Sequence, residues 1–237
     1  MDVVVARSTR VAHYRAAAGI AVAGPAILLG ASLLAYVVLF GIWLASTGVD
    51  IEGDPAAQPT RMAQQLINGA ASPMWFFYVL LAALAVASMG MSGQLSRRTS
   101  SWVVGSVGTS ALVVLALAML VAAAVTEKAG SPALPKQQLE QSVPVLFGVV
   151  IPALLSAFCL MSSLWTLAVS WIGWRNRSVP RWLCVVGGLT GVAMLTGVTG
   201  GAGAEVLLGP WLICVGAWLA RSAARLHVSS AAQDARC

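Results

Sequence analysis

The chain has 237 residues, of which 59% are hydrophobic and 9% are charged, and its formal net charge is +6. Soluble domains carry about 25% charged residues. So few charged residues cannot cover the surface of a globular domain of this size. The composition therefore excludes an ordinary water-soluble protein, and we predict a chain whose main solvent is lipid.

Long stretches without charged residues alternate with small clusters of charge along the chain. A helix needs about 20 apolar residues to cross a bilayer, and all but the last stretch, 206–220, reach that length. We predict an all-α, polytopic membrane helix bundle over residues 16–222 with six transmembrane helices. The approximate spans are 16–45, 73–95, 102–125, 144–174, 182–198 and 204–221.

Basic residues cluster in alternate connections between these spans. Eleven of the 14 Lys and Arg residues lie before span one, after span two, after span four or after span six. Short loops rich in Lys and Arg stay in the cytoplasm. We therefore predict a cytoplasmic basic N-terminal segment over 1–15 and a cytoplasmic tail over 223–237. The excess of Arg over Lys and the many Ala, Gly and Val residues indicate a bacterial plasma (inner) membrane.

The positive net charge could also indicate nucleic-acid binding. Proteins that bind nucleic acids concentrate their basic residues on one soluble module, whereas here these residues are spread along one predicted membrane face. We predict that this face contacts anionic lipid headgroups and that the chain binds no nucleic acid. A membrane-protein partner and a homo-oligomer both stay open as further partners.

Span four carries the most hydroxyl groups of the six. Ser156, Ser163 and Ser170 recur every seven residues and so share one helix face, with Thr166 nearby. This face could line a polar crevice for a small neutral or amphipathic ligand. Hydroxyl groups also bond neighbouring helices in membranes, and small residues such as Gly187 and Gly191 in span five let helices approach closely. We favour helix packing and keep the hydroxyl residues as candidate ligand contacts.

A glycine-rich segment joins spans five and six, and it leaves both of them short. The charge pattern fits two full spans, which we favour, and also a re-entrant hairpin over 182–221. Glu205 lies at the start of span six, where a carboxylate stabilises the N-terminus of a helix. In the re-entrant alternative, Glu205 becomes the best candidate for a proton or cation site. Pro25 and Pro152 occupy similar places in spans one and four, so a 3 + 3 inverted repeat stays open.

Gly90-Met91-Ser92-Gly93 matches the GxSG nucleophile motif of rhomboid intramembrane proteases. A nucleophilic serine needs a base to accept its proton, and the two histidines, His13 and His227, lie in the predicted cytoplasmic tails. The four cysteines form no metal-binding pattern. We therefore predict no catalytic residue, no metal and no cofactor, and we expect that the chain is not an enzyme.

The segment 178–183, Pro210-Trp211-Leu212 and Gly216-Ala217-Trp218-Leu219 resemble the ends of many small, uncharacterised bacterial multi-span proteins. The segment 53–57 is similar to that of one group of them, which shares a domain of unknown function. The resemblance implies six helices and a plasma-membrane location and no functional residue. We predict a non-enzymatic, membrane-embedded binding or accessory subunit. The alternatives are a carrier for a small neutral or amphipathic molecule and, more remotely, an intramembrane hydrolase.

Overall fold

The computed structural model describes residues 21–36, 38–39, 42, 74–129, 136–198 and 204–234. Helices account for nearly all of these residues, and the described part of the chain contains no strand. In chain order the helices are α1 Ala21–Tyr36, α2 Met74–Ala87, α3 Met89–Thr99, α4 Trp102–Ala129, α5 Lys136–Val145, α6 Ile151–Asn176, α7 Arg181–Val198 and α8 Leu208–Asp234. The prediction of an all-α fold is therefore confirmed.

Within the part of the chain that the structure describes, three helical stretches are long and apolar enough to cross a membrane. They are Met74–Thr99, Trp102–Ala129 and Gln141–Asn176, with 26, 28 and 36 residues. At about 1.5 Å per residue, the shortest is about 39 Å long, which exceeds the ~30 Å of a hydrocarbon core. They correspond to predicted spans two, three and four, and α1 and Arg181–Leu195 are shorter apolar helices.

The longest stretch contains a five-residue π-helical turn, Leu146–Val150, between α5 and α6. Pro152 is the second residue after this turn, and it has no N–H to donate to the carbonyl oxygen of Gly148. The N–H of Ile151 instead reaches back five residues to the carbonyl of Leu146, which is the hydrogen bond of a π-bulge. The wider turn keeps α5 and α6 in one continuous helical rod past the proline.

Helices α1 and α8 run antiparallel and touch through glycines. A Cβ atom added at Gly30 would lie 2.6 Å from the carbonyl oxygen of Gly209, and one added at Gly209 would lie 2.8 Å from that of Gly30. Seven residues away on each helix, a Cβ at Gly216 would lie 3.0 Å from the carbonyl oxygen of Ala23. Only residues without a side chain allow two helix backbones to come so close.

Polar contacts join the C-terminal ends of α3 and α6 with the middle of α8. Arg98 donates a hydrogen bond of 2.8 Å to the Ser222 hydroxyl, and its guanidinium group lies 4.6 Å from the centre of the Trp218 ring. The Asn176 amide donates to the carbonyl oxygen of Thr99 at 3.3 Å. We call this the arginine end, because it carries Arg97, Arg98, Arg175, Arg177, Arg181 and Arg221.

Candidate functional site

Two fully buried tryptophans form the centre of the packed interior. Trp165 of α6 and Trp211 of α8 are both inaccessible to solvent, and their rings meet edge to face with centroids 5.1 Å apart and planes at 79°. Such pairs contribute about 0.5–1.5 kcal/mol beyond the area that they bury. The indole nitrogens of both rings have no hydrogen-bond partner among the described residues.

Glycines on two other helices make room for this tryptophan pair. A Cβ atom at Gly108 of α4 would lie 2.4 Å from Cε2 of Trp165, and one at Gly187 of α7 would lie 2.6 Å from Nε1 of Trp211. Gly191, the second residue of the GxxxG pair, faces α6, since a Cβ there would lie 2.7 Å from Oγ1 of Thr166. The indole rings therefore occupy the volume that side chains at Gly108 and Gly187 would need.

The hydroxyl groups predicted to share one face of span four lie mostly inside the bundle. Ser163 is fully buried and donates a hydrogen bond of 2.6 Å to the carbonyl oxygen of Gly191 on α7. Thr166 and Ser170 are also buried and donate to carbonyl oxygens of their own helix, at 2.9 and 2.7 Å. Ser156, nearer the start of α6, is half-buried. Here the face forms helix contacts instead of lining an open crevice.

Glu205 lies in the short 3₁₀ turn Ala204–Leu207 that leads into α8. The position of its side chain falls outside what the structure describes. Its proposed roles as a helix cap or as a cation site stay predictions, as does the choice between two full spans and a re-entrant hairpin.

The serine of the GxSG motif, Ser92, is fully buried in α3 and faces α4. Its hydroxyl donates to the carbonyl oxygen of Met89 at 2.8 Å and lies 2.7 Å from Oγ1 of Thr109. A hydroxyl group both donates and accepts, so the Ser92 and Thr109 hydroxyls share one hydrogen bond. The partners of Ser92 are thus neutral groups. His13 lies outside the described residues, and only the backbone of His227 is described, in α8.

An open groove runs along the outer side of α3 and α4, and sequence analysis did not identify it. It has a volume of about 770 Å³ and begins at Trp102, near the arginine end. It continues to Val114, which is 12 residues or about 18 Å further along α4. The small residues that line it are Gly93, Ser96, Gly105, Ser106, Thr109 and Ser110. We call it the α3–α4 groove.

The hydroxyl groups of this groove differ in their partners. Ser96 donates to the carbonyl oxygen of Ser101 at 2.9 Å, and Thr109 is bonded to Ser92. Ser106 and Ser110 are exposed and make no hydrogen bond with any described residue. Serines in a helix usually donate to a carbonyl of the preceding turn, and a hydroxyl without a partner is unfavourable in an apolar medium. The groove therefore presents two free donors to whatever lies against it.

A sequence signal for the groove exists, although it is a weak one. Gly105 and Thr109, like Ser106 and Ser110, are small residues four positions apart, the spacing that brings helices together in membranes. In α7 the same spacing at Gly187 and Gly191 is filled by neighbouring side chains. The pattern alone cannot distinguish a face that is already covered from one that is open.

Its apolar helices of membrane length place this chain among the membrane proteins. No family model, no curated protein and no solved structure matches it. The resemblance to small bacterial multi-span proteins therefore stays a prediction, and the function must be argued from the geometry of the bundle.

Proposed function

We propose that this chain is a six-span protein of the bacterial plasma membrane whose arginine end and both termini face the cytoplasm. It acts as a non-enzymatic, membrane-embedded subunit that binds another component of the membrane. Positively charged loops favour this orientation. The antiparallel contact of α1 and α8 is compatible with it, because the start of α1 and the C-terminal half of α8 lie at the same end.

The observation that carries the binding role is the α3–α4 groove. It is open on one side, and it offers the hydroxyls of Ser106 and Ser110, which make no hydrogen bond with any described residue. The hydroxyls of Ser163, Thr166 and Ser170 are instead used in contacts inside the bundle. A protein that handles its ligand at a lateral groove fits a binding or accessory role better than transport through the centre.

The proposal is tested by filling the groove and asking what is lost from the purified protein. A Cβ atom at Gly93 would meet nothing within 4 Å, so Gly93→Phe places a ring in the groove from a position that is itself open. Gly188→Phe is the matched control, since Gly188 of α7 also has open space and lies away from the groove. We expect a membrane component to copurify in mild detergent with the wild type and with Gly188→Phe, and to be lost from Gly93→Phe. A chain that purifies alone and monomeric in all three forms contradicts the proposal.

A carrier is the second candidate function, and one observation favours it. The indole nitrogens of Trp165 and Trp211 and the Ser162 hydroxyl are buried without hydrogen-bond partners among the described residues. Buried polar groups of this kind are normally paired, so a second conformation that hydrates the interior would satisfy them. A cysteine at Ser163 should then react with a small hydrophilic thiol reagent in native membranes. The accessory role predicts that this cysteine stays unreactive.

A further inference from the structure

Three arginines lie close together in sequence where α6 ends and α7 begins, and we call residues 174–182 the α6–α7 corner. Arg175 is in the last turn of α6, Arg177 directly follows that helix, and Arg181 begins α7. All three are exposed, and their side chains make no hydrogen bond with any described residue. No Asp or Glu occurs in the described segments 74–126, 141–198 and 206–225. The positive charges of the corner therefore have no carboxylate partner in these segments.

The backbone of the corner is held by hydrogen bonds and by packing. Arg177 has a left-handed backbone with a φ of 52°, and the N–H of Ser178 donates to the carbonyl oxygen of Gly173 at 3.2 Å. This is the hydrogen bond of a Schellman motif. Val179 is buried against the same glycine, since a Cβ added at Gly173 would lie 2.9 Å from Cβ of Val179. The arginines therefore extend from a turn that needs no further ordering of its backbone to bind an anion.

Exposed tryptophan rings accompany these arginines. Trp171 and Trp174, in the last two turns of α6, are 73% and 52% exposed, and Trp182 at the start of α7 is 51% exposed. The guanidinium group of Arg181 lies 5.8 Å from the centre of the Trp174 ring, which is within the range of a cation–π contact. Tryptophans at the ends of spanning helices lie in the headgroup layer. In that layer the phosphate groups of the lipids are the anions that guanidinium groups meet.

We propose that the α6–α7 corner binds the phosphate of one anionic phospholipid from the adjacent leaflet. A guanidinium group donates two parallel hydrogen bonds to a phosphate, and the combined charge of three arginines favours a lipid with a net negative charge over a zwitterionic one. An acidic protein segment would pair with the arginines but would leave the exposed rings without an apolar partner, whereas a lipid covers both. This site goes beyond the proposed function, which rests on the α3–α4 groove.

Native mass spectrometry of the full-length chain tests the assignment. The protein is reconstituted into vesicles of equal parts phosphatidylglycerol and phosphatidylcholine, extracted in mild detergent, and its retained lipids are counted. We expect one retained phosphatidylglycerol per chain. The triple variant Arg175→Gln/Arg177→Gln/Arg181→Gln should bind this lipid about a hundred-fold more weakly, because each arginine near a charged membrane surface contributes about five-fold. Equal retention of the two lipids by the wild type overturns the assignment.

The matched control removes three other exposed arginines of the same charged region. Arg97→Gln/Arg221→Gln/Arg225→Gln changes the net charge by the same amount and leaves the corner intact. This variant should retain phosphatidylglycerol as the wild type does. Equal losses in the two triple variants would mean that the lipid is attracted by the overall charge alone, and they would overturn the site.

Arg177→Gly separates lipid binding from folding. Glycine adopts a left-handed backbone without strain, so this variant should unfold no more readily than the wild type. It should nevertheless bind phosphatidylglycerol about five-fold more weakly, since it lacks one arginine of the corner. Unchanged binding of the lipid by Arg177→Gly contradicts the assignment.

A photo-crosslinking residue in place of Trp182 identifies what lies against the corner in native membranes. We expect an adduct with the mass of an anionic phospholipid. An adduct with a polypeptide, or adducts that only reflect the bulk lipid composition, overturn the lipid assignment. Gly93→Phe tests the proposed function at the α3–α4 groove and should leave the lipid adduct unchanged, so the two proposals fail separately.

Discussion

Adding one methyl group at Gly108 is the sharpest test of the packed interior. In Gly108→Ala the new Cβ would lie 2.4 Å from Cε2 of Trp165 and 2.9 Å from Cβ of Ser92. Carbon atoms in contact prefer about 3.5–4.0 Å, so the indole must move by about 1 Å. Trp165 is fully buried and its ring packs edge to face against that of Trp211, so a movement of the indole disturbs this contact. Overpacking of this kind costs about 1–3 kcal/mol.

Gly93→Ala is the matched control for this prediction. Both glycines lie in helices of the same α3–α4 pair, and both substitutions gain about 1 kcal/mol of helix propensity. A Cβ at Gly93 meets nothing within 4 Å. The difference in unfolding free energy between the two variants therefore isolates the packing cost, and we expect Gly108→Ala to be less stable by about 1–3 kcal/mol.

The assay is reversible unfolding of the purified chain in mixed micelles with increasing denaturing detergent, followed by far-UV circular dichroism. Trp165→Phe removes part of the ring that meets the new methyl group, so the double variant Gly108→Ala/Trp165→Phe should be more stable than the sum of the single effects predicts. Residues in direct contact show such coupling. Equal stability of Gly108→Ala and Gly93→Ala would refute the packing that we describe for Trp165.

Three further predictions concern contacts elsewhere in the bundle. Ser163→Ala should lower the unfolding free energy by about 0.6 kcal/mol, the average for a hydrogen bond between membrane helices. Ser162→Ala should not lower it, because the buried Ser162 hydroxyl has no partner among the described residues, and equal losses in the two variants would contradict this. Arg98→Gln should destabilise the bundle more than Arg97→Gln, because Trp218 and Ser222 contact Arg98 and not Arg97. Equal thermal stability of the two variants in detergent would count against those contacts. Gly30→Ala should lower the unfolding free energy by about 1–3 kcal/mol, because its new Cβ would meet a backbone oxygen of α8. The Cβ of Gly24→Ala meets nothing within 4 Å, so equal unfolding free energies of these two variants would argue against the α1–α8 contact.

The helical nature of the chain and its membrane-length helices could be predicted from the sequence, because hydrocarbon imposes both length and composition on a spanning helix. The arginines of alternate connections were predicted to lie on one membrane face, and this stays a prediction. The contacts of Arg98 and Asn176 place the C-terminal ends of α3 and α6 beside the middle of α8. Which side of the membrane the arginine end faces is a proposal.

The interior and the groove could not be predicted in the same way. Trp165 and Trp211 are 46 positions apart, and nothing in their local sequence indicates that they pair. The serines of α4 and those of α6 have similar apolar surroundings, yet Ser106 is exposed and Ser163 is buried. Which face of a helix is covered depends on where its neighbours lie, and that is decided by long-range packing.

The account depends most on the arginine end lying in the cytoplasm while the other end of α4 lies outside. In a chain whose four natural cysteines are replaced, single cysteines at Asn176 and at Glu127 sample the two ends, and both positions are exposed. A membrane-impermeant maleimide added to bacterial spheroplasts should label Glu127→Cys at once and Asn176→Cys only after the membrane is permeabilised. Labelling of Asn176→Cys from outside, with Glu127→Cys protected, would contradict the account.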